Sequence, residues 1–79
     1  MTDTVIAALS EDEWTSLGAG PALVGAFGGD LLLVSAAAQP SPASIGFLVH
    51  CAGAPVNIAA TDTLWARACM PGSTAVVQS

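Results

Sequence analysis

The chain has 79 residues, 53% of them apolar and only 9% charged, with one arginine, no lysine and a formal net charge of −5. A single cation cannot make the several basic contacts that a phosphate backbone or an anionic membrane surface requires, which excludes nucleic acid and acidic lipid as partners. A chain of this length forms one domain and buries only about 60–65% of its unfolded surface, so its apolar excess points to a self-associating or partner-binding protein.

The first 13 residues carry four of the six acids and read as an N-terminal arm, residues 1–13, ahead of a body spanning 14–79. Within the arm, Val5 to Leu9 is a short apolar run, and Val5, Ile6 and Leu9 are candidate contact residues. The arm lacks a basic n-region, so it does not read as a signal peptide. Ser10 and Glu13 have capping-box spacing, but Gly18 and Gly20-Pro21 follow closely and limit any helix to a single turn. From Trp14 onward, short apolar runs alternate with turn residues. The runs are "ALVGAF" (22–27), "LLLVSAA" (31–37), "IGFLVHC" (45–51), "PVNIAA" (55–60), "LWARACM" (64–70) and "TAVVQ" (74–78). Gly28-Gly29-Asp30 and Pro71-Gly72-Ser73 supply the backbone conformations of tight reversals, and "QPSPAS" (39–44) is a proline-bearing loop. This spacing predicts an all-β single domain, a small sandwich or barrel of six or seven short strands. The many alanines favour helix, but after Trp14 glycine and proline recur too often for a normal helix to form. No apolar run approaches the roughly 18 residues of a membrane span.

Alternation along "LWARACM" places Leu64, Ala66, Ala68 and Met70 on one face and Trp65, Arg67 and Cys69 on the other. Arg67 therefore lies on a solvated face with Trp65 covering its stem, at an interface opposite an acid, or in an internal salt bridge. Trp14, Trp65 and Arg67 are candidate interface residues, because tryptophan and arginine concentrate at contact hot spots. Cys51 and Cys69 read first as small buried hydrophobes and second as a disulfide pair. His50 reads as a satisfied or half-exposed strand residue. Two cysteines and one histidine make a poor metal set, and no cofactor is implied. Catalytic patterns are missing: there is no lysine, no G-x-S-x-G, and Gly18-Ala19-Gly20 does not continue into a dinucleotide fingerprint. Asp30 and Asp62 fall in predicted turns, where an acid is ordinary. No enzyme is expected.

The segments "EWTSLGAGPALV", "IGF" and "DTLWARA" together resemble small proteins of tailed phages and prophages, most closely head-decoration (cement) proteins. The resemblance spans about residues 13–78 and rests on Trp14, Gly18, Gly20, Pro21, Gly46, Trp65, Ala66 and Arg67. It implies a β-rich homotrimer on the outer surface of the virion capsid, with the major capsid protein as partner and with the arm adding a strand to a capsid-protein sheet. A head- or tail-fibre module that binds a host receptor or carbohydrate is the alternative. Two tryptophans and no tyrosine give that alternative little to stack on a sugar.

Overall fold

A computed structural model describes residues 4–41 and 43–78. Arm residues 1–3, one proline of the 39–44 loop and the last residue of the body lie outside this range. The chain forms eight strands: β1 (Thr4–Ala8), β2 (Thr15–Ala19), β3 (Ala22–Phe27), β4 (Leu31–Ser35), β5 (Phe47–Val49), β6 (Val56–Ile58), β7 (Thr63–Ala68) and β8 (Thr74–Gln78). They make two antiparallel four-stranded sheets, a first in the order β1-β8-β3-β6 and a second in the order β2-β7-β4-β5. The protein is a β-sandwich, and no helix occurs among the described residues.

Both extra strands arise where short-range signals were weakest. The apolar run of the arm is β1, paired with β8 through an unbroken register from Thr4↔Gln78 to Ala8↔Thr74. The segment "TSLGA" forms β2 against β7 despite its glycine, which the ladder accommodates by a register shift between Ser16 and Gly18. The Ser10–Glu13 segment is a bend rather than a helical turn, in which the Ser10 hydroxyl accepts the Asp12 N–H at 3.1 Å.

The core lies between the sheets. Val24, Leu31, Leu64, Ala66 and Ala75 are fully buried, with Leu17, Ala22, Leu33, Val49 and Val77 around them. Alternation selects these residues, and β7 buries Leu64, Ala66 and Ala68 as its sequence predicts. Ala22, Ala66 and Ala75 are small inward residues that let two short sheets close on each other. The folded chain exposes 4407 Å², matching the roughly 4400 Å² expected of a folded monomer of this mass.

Six of the seven connections pass from one sheet to the other, the exception being β4 to β5. The "GGD" and "PGS" segments are therefore corners between sheets and not hairpin turns. Gly28 has φ +77°, and a side chain there would meet the Gly72 carbonyl oxygen at 2.6 Å. The two corners touch, and only glycine combines that backbone with that approach.

Leu64 sits at the centre of the core with no exposure. Leu64→Ala is expected to lower unfolding free energy by about 2–5 kcal/mol in urea titration.

Candidate interaction surfaces

The sandwich presents two unlike outer faces. On the second sheet, the register pairing Thr15 with Ala66 carries Trp14 opposite Arg67. The Arg67 guanidinium lies over the Trp14 ring, 5.0 Å from its centroid. Trp14 is only 3% exposed but stands outside the inter-sheet core, because the chain around Gln39–Ser41 folds over it. Its indole N–H donates to the Ser41 carbonyl at 2.9 Å, and the Gln39 amide donates to the Trp14 carbonyl at 3.0 Å. Trp65 donates its own indole N–H to Ala36 at 3.0 Å. The loop runs on to Gly46, where a side chain would meet the Leu33 backbone nitrogen and oxygen at about 3.0 Å. Glu13, Trp14, Gln39 and Pro40 line a recess of about 280 Å³ beside this strap.

Of the candidate contact residues, the structure brings Trp14, Trp65 and Arg67 together on this face. The ring beneath the guanidinium is that of Trp14. Val5, Ile6 and Leu9 belong to the opposite sheet. Leu9 packs partly buried against the core and donates its N–H to Ser73 at 3.2 Å, while Val5 is 50% and Ile6 71% exposed.

The outer face of the first sheet is bare. Register places Thr4, Gln78, Leu23 and Asn57 in one row, Ile6, Val76 and Gly25 in the next, and Ala8, Thr74 and Phe27 in the third. None of these residues is charged. Gly25 contributes no side chain, and the gap is a shallow depression of about 170 Å³ lined by Leu23, Gly25, Pro55, Val76 and Gln78. Phe27 stands 70% exposed at its end.

Asp30 ties the corners at one end of the molecule, a role that turn chemistry alone did not suggest. Its backbone carbonyl accepts the Cys69 N–H at 3.1 Å and the buried Ser73 hydroxyl at 2.8 Å. Its carboxylate accepts the Cys51 N–H at 2.9 Å and lies 3.3 Å from His50 Nδ1. Three inter-sheet corners meet on this one residue. The Cys51 amide, assisted by His50, holds the carboxyl below its ordinary value of 3.8, with partial desolvation opposing them.

The cysteines do not fill the expected buried positions. Both are exposed and both are free. Strands β5 and β7 end at Val49 and Ala68, so Cys51 and Cys69 fall in the corners beyond, where their amides serve Asp30. Desolvation, aided by the Asp30 charge, raises the Cys69 thiol pKa, with Arg67 opposing. His50 also lies beyond its strand and is exposed.

Among the described residues no group of three or more His, Cys, Asp or Glu side chains could hold a metal ion. No helix among them is long and apolar enough to cross a membrane. No protein-family model matches the chain, and no curated protein or solved structure matches it.

Two outcomes test these ties. The folded Asp30 carboxyl has the lower pKa, so its contribution is complete above the unfolded value and lost as pH falls through the folded one. Asp30→Asn should therefore flatten the acid limb of a stability profile between about pH 5 and 2, measured by urea unfolding at each pH. Arg67→Ala should cost at least about 0.5–2 kcal/mol, the scale of the lost ring contact, read by intrinsic tryptophan fluorescence during unfolding.

Proposed function

We propose that the protein is a structural virion component, a decoration protein that docks on the outer surface of a tailed-phage capsid. Its partner in this reading is the major capsid protein, and no catalysis is involved. The observation that carries the proposal is the uncharged outer face of the β1-β8-β3-β6 sheet, which spans all four strands. Interface centres are depleted of charged side chains relative to the rest of a protein surface. Here the described acids sit off that face, at Glu11, Asp12, Glu13, Asp30 and Asp62, in the loops and corners. The described surface thus separates an uncharged sheet face from acids held in the loops and corners. A shell-stabilising protein needs such a field and needs no reaction centre. The resemblance in the Trp14–Pro21 and Asp62–Ala68 segments supplies the phage context, with self-association part of the same reading.

Binding to expanded, undecorated phage heads tests this, scored by co-sedimentation beside intact host cells. The wild-type protein should sediment with heads and not with cells. Val76→Asp places a carboxylate in the middle row of the face. It should weaken head binding at least about tenfold, equivalent to about 1.4 kcal/mol, while leaving the circular dichroism spectrum unchanged. Binding to cells alone, or unchanged head binding by the variant, would overturn the reading.

A further inference from the structure

A sandwich has four sheet edges, and exposed edges are templates for pairing with another chain unless something blunts them. Three edges here carry such a device. Strand β2 has a register shift between Ser16 and Gly18. Strands β5 and β6 are three residues each, and β6 begins directly after Pro55. Strand β1 is different: five residues, "TVIAA", with no charge, proline or glycine, paired to β8 without a break. Its other side is the end of the sheet.

The phase of the ladder decides which backbone groups face outward. Leu9 donates its N–H toward β8, to Ser73. Alternation then turns Val5 and Ala7 toward β8 and leaves the N–H and C=O of Thr4, Ile6 and Ala8 on the open edge. These three positions are symmetric about Ile6. An antiparallel copy of the same strand, related by a two-fold axis at Ile6, would set Thr4 opposite Ala8 and Ile6 opposite its own equivalent. Every outward group then meets a complementary one, giving about six hydrogen bonds. The same register keeps both sets of side chains on their proper faces, since residues of equal parity are paired. It also covers Ile6 and Val5, which the isolated chain leaves 71% and 50% exposed.

We infer that β1 is a self-pairing edge, and that two copies join through it into a continuous eight-stranded sheet. The occupant is a second copy because the edge is complementary to itself. A head-to-tail ring would instead need β1 to meet β6, the short edge behind Pro55. The lack of charge on the strand matters too, since each copy carries −5 overall and the contact must form where repulsion is least. Joining the sheets places two uncharged outer faces side by side on one surface. The inference does not depend on the capsid reading. A two-fold contact closes at two copies, so a three-fold assembly would have to use another surface.

Sedimentation velocity on the full chain, from about 1 to 300 µM, tests it, because a modest edge contact dissociates within that range. The expected result is a reversible monomer–dimer equilibrium that strengthens with salt as repulsion is screened. Ile6→Lys should weaken it at least tenfold, as charged residues blunt natural edges. Phe27→Lys, on the same face but two strands from the edge, should change it less than about twofold. Hydrogen exchange of the unmodified protein gives a reading independent of any variant. The Thr4, Ile6 and Ala8 amides should gain protection with concentration, while Leu9, already bonded to Ser73, should not. A monomer throughout the range, an oligomer lost with Phe27→Lys but kept with Ile6→Lys, or concentration-independent exchange at all three amides would overturn the inference.

Discussion

The structure depends on pinning its corners. Because the chain crosses between sheets at six of its seven connections, separating the sheets would require most of the corners to give way together. Asp30 is the point where three of them converge, through two acceptors on its carboxylate and one shared carbonyl. Ser73, itself 1% exposed, completes the tie by also donating to the Met70 carbonyl at 3.1 Å. In so small a domain the core alone contributes little surplus over conformational entropy. Hydrogen bonds that join distant segments at one place are the economical complement, since they restrain long loops without adding volume.

The same economy divides the surface. On one sheet, residues 36–41 of the protein's own chain are fastened across the outer face by both indole N–H groups, beside the Arg67–Trp14 contact. The other sheet is left open and uncharged. The lone cation is thus committed within the chain, over an aromatic ring of the covered face. The described acids stay in the loops and corners, where they remain hydrated. This asymmetry distinguishes the two outer faces of the sandwich.

Much of the architecture was legible from local pattern. Runs of β-forming residues between Gly, Pro and Asp marked six strands closely, with Ala22–Phe27 and Thr74–Gln78 matching their runs end to end. Strand β2 was hidden because a glycine and a register shift disguise its alternation. Strand β1 read as an arm because nothing near it in sequence shows its partner, which lies about 70 residues away at β8. The candidate site was legible in its residues more than in its geometry. Trp14 and Arg67 were both marked, yet their contact depends on a β2–β7 register that local sequence does not encode. Asp30 was seen as an ordinary turn acid for the same reason: its acceptors serve Cys51, Cys69 and Ser73, all remote in the chain.

Composition and alternation by themselves determined the all-β class, the shared inward face of Leu64, Ala66 and Ala68 but not of Met70, which falls beyond β7 and is 43% exposed, and the poverty of cationic residues. These are properties of neighbouring residues and of totals, and no tertiary contact is needed to evaluate them. Only the tertiary structure decided that the "GGD" and "PGS" segments are corners between sheets, that the cysteines sit exposed beyond their strand ends, and that one outer face carries the fastened loop while the other carries no charge. Each of those outcomes turns on which strands lie side by side. Pairing is a long-range choice, made by burying the inner faces of two sheets at once, and the residues that settle it stand far apart along the chain.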